Sequence, residues 1–209
     1  MACITMFFAA VFICGAGTAR GSETATGPAE RGHQRVRSAG QIYSTAHVGY
    51  AMESSSSTGF RNAGGSMMIF DVTRSLDRRL DFGLRTAGAG AEAGGAKFYR
   101  MGAGPMIRAV LSERFALVAA GLRFQETGMA ADDEERAYGS SGNALMISWE
   151  RTHRIARRID ISWGGFVSQH WGGFQPSSGA AVVSQGRFSS VNRNVGMTRG
   201  IEFALRTAL

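Results

Sequence analysis

Few residues in this chain combine the types and the spacing that chemistry requires. The segment "SQHWGG" places Ser168 two residues before His170, and Glu150 is an acid that could complete a hydrolytic Ser–His–acid group. Such a group needs the acid to orient the histidine and the histidine to reach the serine. No wider motif surrounds these residues, so we interpret His170 as a polar residue near the rim of the fold and predict no catalytic residue.

Two other segments suggest ligand binding but are more typical of surface structure. Residues 88–93, "GAGAEA", match a loosened dinucleotide fingerprint, but no helix or βαβ unit surrounds them. The acidic run "DDEER" at 132–136 could bind a divalent cation that bridges lipid phosphates, although such a run is more often a solvated surface. Because His47, His153 and His170 are scattered, their spacing does not indicate a zinc site, and we expect no metal and no cofactor.

The first 40 residues differ from the rest of the chain. Residues 1–19, "MACITMFFAAVFICGAGTA", carry no charged side chain, contain an apolar stretch and end in small residues. This pattern predicts a secretory signal peptide over 1–19, followed by a flexible periplasmic leader over 20–40. Both cysteines, Cys3 and Cys14, lie within the signal, so the exported chain would contain no disulfide.

From residue 41 to the C-terminus, large apolar side chains alternate with small or polar ones. In the terminal segment "GIEFALRTAL", Ile201, Phe203 and Leu205 belong to one series, whereas Glu202 and Arg206 belong to the other. A period of two is typical of β-strands with one apolar face. The same alternation predicts eight strands, at about 41–53, 65–75, 79–88, 97–111, 115–126, 141–152, 158–171 and 191–209.

The connections between the predicted strands alternate strictly between short and long. Strands 2 and 3, 4 and 5, and 6 and 7 are joined by short turns, whereas the other connections are long loops that include 89–96, 127–141 and 172–190. In an antiparallel meander, this order places all the short turns at one end and all the long loops at the other. The predicted fold class is therefore all-β, an eight-stranded antiparallel up-and-down barrel.

Charge is distributed unevenly between the two ends of the predicted meander. The chain has 23 Lys and Arg against 16 Asp and Glu, which gives a formal net charge of +7. Arginines concentrate at the short turns, whereas acids such as Glu53 and Glu92 concentrate in the predicted long loops. We expect these basic turns to contact anionic lipid headgroups. Nucleic acid is not expected as a partner, because the sequence has no basic stripe or recognition helix of the kind that accompanies nucleic-acid binding.

This layout resembles that of the small eight-stranded outer-membrane β-barrels of the OmpA/OmpX/OmpW-like superfamily. The resemblance covers residues 41–209 and rests on the topology, the alternation and the regular last strand. It implies a transmembrane barrel in the outer membrane of a Gram-negative cell envelope, whose last strand pairs with its first. It also implies a signal for the barrel-assembly machinery in the last strand, at Ile201, Phe203, Leu205 and Leu209.

The resemblance also implies that the apolar face contacts lipid. Large aromatic residues of the apolar series lie near the strand ends, as in membrane-interface girdles, and these are Tyr50, Tyr99, Trp149 and Trp171. Two residues conflict with a regular apolar face: Pro105 predicts a bulge in its strand, and Arg199 is expected to lie near a membrane interface. The alternative is a soluble lipocalin-like barrel, which has its apolar face inside.

The polar face would line the lumen of the barrel. Its predicted charged residues are Asp71, Asp81, Arg85, Arg100, Arg108, Glu150, Asp160, Glu202 and Arg206. Eight strands enclose a space that side chains fill, and charges buried there must be paired. We therefore expect a network of arginines and carboxylates that plugs the lumen, and a gated polar path for ions is the alternative.

These features predict a non-enzymatic outer-membrane protein. Its function would be envelope structure, interaction with a host or surface ligand through the long loops, or minor porin-like passage of solutes. The predicted partners are outer-membrane lipids, lipopolysaccharide and the barrel-assembly machinery, with no nucleic acid, and the barrel is expected to be a monomer. The alternatives are a lipid A-modifying outer-membrane enzyme, whose expected His-x-Ser-Asn pattern is not found here, and a soluble periplasmic barrel that binds a ligand.

Overall fold

The computed structural model describes residues 39–55, 63–93, 96–130, 133–156, 158–175 and 194–209, so the predicted signal peptide and nearly all of the predicted leader lie outside it. Eight antiparallel strands form one closed sheet: β1 (Ile42–Ser55), β2 (Ala63–Ser75), β3 (Leu80–Ala93), β4 (Ala96–Ser112), β5 (Phe115–Ala130), β6 (Asp133–Ala156), β7 (Ile159–Gln175) and β8 (Asn194–Ala208). The predicted all-β antiparallel barrel is confirmed. Among the described residues, no helix has the length and apolar character needed to span a membrane.

The register between the strands determines how the barrel closes. Following the directly paired residues from Ala46 of β1 through β2 to β7 leads to Val195 of β8. In the direct pairing between β1 and β8, however, the partner of Ala46 is Leu205. Because these two residues of β8 are ten positions apart, the sheet closes with a stagger of ten residues. For eight strands, this stagger tilts the strands by ~40° and leaves an interior that side chains fill.

Several strands extend further than the alternation predicted. Only two residues separate β5 from β6, so most of the predicted loop 127–141, with much of its acidic run, belongs to a long hairpin. The predicted loop 89–96 is also wrong, because Ala93 pairs with Ala96 across a second hairpin. Main-chain hydrogen bonds continue a ladder whatever the polarity of the side chains, so these strands continue past the end of the apolar series.

Pro105 lies within β4 without the bulge predicted there. It pairs regularly with Leu84 of β3, and on the β5 side the ladder omits Gly104 and Pro105 and then resumes in the same register. A proline removes one hydrogen-bond donor but adds no residue, so the strand keeps its register across a local gap in the ladder. The register between β4 and β5 shifts instead between Val110 and Ser112, next to the turn.

The outer surface of the barrel is a belt of large apolar side chains. The predicted interface aromatics and assembly-signal residues are all exposed on it, namely Tyr50, Tyr99, Trp149, Trp171, Ile201, Phe203, Leu205 and Leu209. Val48, Leu84 and Ile147 are also exposed there, and Arg199 faces the same way. An apolar surface this extensive is unfavourable in water, and the arrangement is the opposite of a lipocalin-like barrel.

The interior also contains an apolar cluster, which a purely polar inner face would lack. Its members are Ala51, Met67, Ile69, Met106, Val118, Ala120, Leu122, Phe124, Ala144, Met146 and Phe166. Several of them come from β5, which explains why both faces of the segment 115–124 look apolar in the sequence. On the inner face of β4, Met106 lies between Arg100 and Arg108, so this cluster separates two charged regions of the lumen.

Candidate functional site in the barrel interior

The structure brings eight of the nine predicted lumen charges into the barrel interior. Asp160 is the exception, because it lies at the start of β7 and pairs with the exposed Arg154, 3.2 Å away. The turn-side cluster consists of His47, Asp71, Asp81, Arg85, Arg108, Glu150, Glu202 and Arg206. The loop-side cluster consists of Glu53, Arg100, Glu126, His170 and Thr198. The sequence therefore contributes two ionic groups to the lumen, one on each side of the apolar cluster.

The turn-side cluster is centred on Arg85, which is completely buried. Its guanidinium donates two hydrogen bonds of 2.8 Å to the two carboxylate oxygens of Asp71. The two residues are direct partners in the β2–β3 register, so their pairing follows from the strand alignment. Arg85 also donates to the hydroxyl of Ser148 on β6, at 3.2 Å. Because β6 lies across the barrel from β3, this side chain spans the lumen.

A second set of bonds in the turn-side cluster meets at Asp81. Its carboxylate accepts from Arg206 at 2.7 Å, from Arg108 at 3.4 Å and from the Ser75 hydroxyl at 2.7 Å. Arg108 also donates to Glu150 through Nε at 2.8 Å. Asp81 and Arg108 are direct partners in the β3–β4 register. The bond from Arg206 joins β8 to β3, and the bond from Arg108 to Glu150 joins β4 to β6, so these two contacts connect strands that are not neighbours in the sheet.

The loop-side cluster is organised around Arg100 of β4. This side chain donates to both carboxylate oxygens of Glu53, at 3.1 and 3.2 Å, and to Glu126 through Nε at 2.7 Å. The hydroxyl of Thr198 donates to Glu53 as well. His170 lies beside the same carboxylate, with 3.4 Å between its Nε2 and Oε1 of Glu53. A single guanidinium therefore joins carboxylates from β1 and β5.

Several members of these clusters were not predicted from the sequence. Glu53 was grouped with the acids of the long loops, at the end of the predicted strand 41–53, but β1 continues past it and it occupies the inward position two residues after Ala51. Glu126 was missed because the two faces of β5 look alike in the sequence, although it follows the buried Phe124 at the inward spacing. His170 lies toward the loop end of β7 and is fully buried in the lumen, with its ring 5.7 Å from that of Phe124.

The structure does not bring the candidate hydrolytic group together around Glu150. Glu150 is bound to Arg108 in the turn-side cluster, whereas His170 belongs to the loop-side cluster. Glu150 pairs with Gly164 of β7, six residues before His170, which is a separation of ~20 Å along a strand. The acid therefore does not orient this histidine.

No protein-family model and no curated protein matches this sequence. Among solved structures, the fold is similar to Neisserial surface protein A, with a TM-score of 0.53 and 13% identity, over 80% of this chain and 97% of that one. Weaker likenesses are to the outer membrane protein OprG from Pseudomonas aeruginosa (TM-score 0.43, 9% identity, 82% and 97% covered) and to the outer membrane protease OmpT from Escherichia coli (TM-score 0.39, 8% identity, 81% and 97% covered). The closed eight-stranded barrel with its apolar outer belt is therefore the fold of a small membrane-spanning β-barrel, and Neisserial surface protein A shares this fold.

Proposed function

We propose that this chain is a non-enzymatic outer-membrane barrel that supports the envelope and contacts surface ligands at its loop end, with a lumen closed by ionic plugs. The observation that carries the proposal is the reach of Arg100 on β4 to Glu53 on β1. These strands are not neighbours in the closed sheet, so the contact crosses the lumen. The turn-side cluster closes the lumen a second time, where Arg108 of β4 and Arg206 of β8 meet at one carboxylate.

We expect the barrel to show no steady ion conductance in planar lipid bilayers. In the double variant Arg100→Ala/Arg108→Ala, both plugs lose a cation and their carboxylates repel one another, so openings should appear and mean conductance should rise severalfold. Folding of each variant is checked on a gel, where a faster band before boiling that is lost on heating indicates a folded barrel.

Arg123→Ala is the matched control for this experiment, because Arg123 faces outward on β5 and makes no ion pair with the described residues. This variant should remain as closed as the wild type. Steady conductance in the wild type, equal to that of the double variant, would contradict the plug and favour minor porin-like passage of solutes.

The loop end is the proposed contact surface because the β3–β4 and β5–β6 hairpins continue the barrel there. On the first hairpin, Lys97 and Glu92 form an exposed ion pair of 3.4 Å in place of the apolar belt. This change from apolar to charged side chains is typical of a strand that leaves the lipid and enters water. The proposed partners of the apolar outer belt are lipopolysaccharide and other outer-membrane lipids. The barrel-assembly machinery is the proposed partner of β8 during insertion, and the inserted barrel is proposed to be a monomer.

The runner-up is an outer-membrane enzyme, since a barrel fold does not exclude catalysis. We expect the purified barrel to leave lipopolysaccharide, phospholipid and a peptide mixture unchanged, as read by mass spectrometry of the lipids and peptides. The matched control is Ser168→Ala, which should give identical spectra. A deacylated lipid or a cleaved peptide that appears with the wild type but not with this variant would contradict the non-enzymatic proposal.

A further inference from the structure

Among the described residues, Glu202 of β8 is the carboxylate of the turn-side cluster that accepts no hydrogen bond. The residue is only 2% exposed, and neither of its carboxylate oxygens accepts a hydrogen bond from the described residues. It makes one ionic contact, in which Nδ1 of His47 lies 3.4 Å from its Oε2. Because burying a carboxylate without donors is costly, a further group is expected to complete its surroundings.

His47 shows what kind of group is needed. Its Nε2 lies 3.1 Å from Oδ2 of Asp71, and because an ionised carboxylate can only accept, Nε2 carries the proton and donates it. In a neutral imidazole, Nδ1 is then an acceptor, and it faces Oε2 of Glu202, which is also an acceptor. The contact between these two acceptors is stabilised by a cation, which is either a proton on Nδ1 or a metal ion bound to both atoms.

The charge of the turn-side cluster also favours an added cation. The cluster contains four carboxylates and three guanidiniums, which belong to Asp71, Asp81, Glu150, Glu202, Arg85, Arg108 and Arg206. Each guanidinium donates hydrogen bonds to a carboxylate other than Glu202. With a neutral His47, one negative charge is therefore left over at Glu202, and either a second proton on His47 or a bound metal ion would balance it.

We propose that a divalent transition-metal ion binds between His47, Glu150 and Glu202. Each residue offers one ligand atom, and the three atoms lie within 4.8 Å of one another. The 3.4 Å between His47 Nδ1 and Glu202 Oε2 equals the spacing of two ligands in a tetrahedral site with bonds of ~2.1 Å. Glu150 uses Oε2 to accept from Arg108, so its other oxygen is the one that would turn to the ion.

The ligand set determines the class of metal. One imidazole with two carboxylates suits Zn²⁺, Co²⁺, Ni²⁺ or Mn²⁺, whereas Ca²⁺ and Mg²⁺ prefer sites built from oxygen alone. The hydrogen bond from His47 to Asp71 is the carboxylate–histidine arrangement that orients metal-binding imidazoles. Because the ligands come from β1, β6 and β8, the ion would link β1 and β8, the two strands that close the barrel, to β6.

The test uses the full chain without an affinity tag, purified in detergent and stripped with a chelator. After dialysis against Zn²⁺, we expect one tightly held ion per barrel by elemental analysis, and Co²⁺ should give visible absorption bands of a four- or five-coordinate ion. Glu202→Gln keeps the size of the side chain but removes its charge and should lower the affinity for Zn²⁺ at least ~10-fold, the low end of what even outer-shell changes cost. Glu53→Gln in the loop-side cluster is the matched control and should bind normally.

Thermal unfolding gives a second readout. Zn²⁺ should raise the unfolding temperature of the wild type and of Glu53→Gln, but not that of Glu202→Gln. If Glu202→Gln fails to fold on the gel assay, Glu150→Gln replaces it with the same expectation. A wild-type barrel that retains no metal, or a Glu202→Gln barrel that retains as much as the wild type, would overturn the proposal, and the cation between His47 and Glu202 would then be a proton.

Discussion

Replacement of Arg85 by alanine should destabilise the barrel by about 3–5 kcal/mol, the cost of removing one partner from a buried ion pair. Arg85 is completely buried and supplies two hydrogen bonds to Asp71. Without it, Asp71 remains in the interior beside other carboxylates of the turn-side cluster, with two guanidiniums left to balance them. The measurement is urea unfolding of the refolded barrel in detergent micelles, followed by the gel shift between folded and boiled forms.

The control for this prediction is Arg154→Ala. Arg154 also pairs with an aspartate, Asp160, at 3.2 Å, but its side chain is exposed. Exposed pairs contribute ~0–1 kcal/mol, so this variant should unfold close to the wild type. Equal effects of the two substitutions would show that the interior is hydrated enough to screen Arg85, and the plug would have to be abandoned. Adding Asp71→Asn to the Arg85 variant should recover part of the loss, because the buried charge is then removed.

Replacement of Phe203 by arginine should reduce the free energy of unfolding in a lipid bilayer by about 2–4 kcal/mol, the cost of an arginine near the bilayer midplane. Phe203 lies in the middle of β8 and is 58% exposed on the outer belt, between Val48 of β1 and Trp163 of β7. An arginine there is too far from either interface to place its charge in water without deforming the lipid. Folding into phospholipid vesicles over a range of urea concentrations measures the loss.

Val195→Arg is the matched control, because Val195 lies on the same strand and the same face, at the loop end of β8. The cost of an arginine falls to ~0–1 kcal/mol near the interface, so this variant should fold almost as well as the wild type. If both substitutions were equally harmless, the outer belt would not be in contact with lipid. The native Arg199 lies on the same face, four residues nearer to the loop end than Phe203, so the outer face of β8 already carries one cation toward that end.

The fold could be predicted from the sequence because its determinants are local. Alternation with a period of two indicates a strand wherever one face contacts lipid, and the order of short and long connections then gives the topology. The ends of the strands could not be predicted in the same way. The β5–β6 hairpin is continued by main-chain pairing through residues whose side chains show no apolar series, so hydropathy carries no signal there.

The interior could be predicted only as a set of inward residues, and not as a set of contacts. Which charges meet depends on the stagger of the closed sheet, and the sequence gives no direct measure of that stagger. Arg85 and Asp71 are neighbours in register, but Arg206 reaches Asp81 across the barrel axis. His47, Glu150 and Glu202 lie on three strands that only closure brings together, so no spacing along the chain could reveal them.

The stagger of ten residues has a consequence for how this protein can change over time. Because inward and outward side chains alternate, the two ends of the sheet match only when the offset between them is even. A single residue gained or lost inside a strand would make the count odd and turn every following lumen residue toward lipid. Insertions or deletions of one residue are tolerated where the change can be absorbed locally. Within the described strands, the register shifts lie near strand ends, at Val110/Ser112, Met129/Ala130 and Arg154/Ala156. Strand lengths should therefore diverge between descendants in steps of two, while odd changes gather next to the turns and hairpin tips.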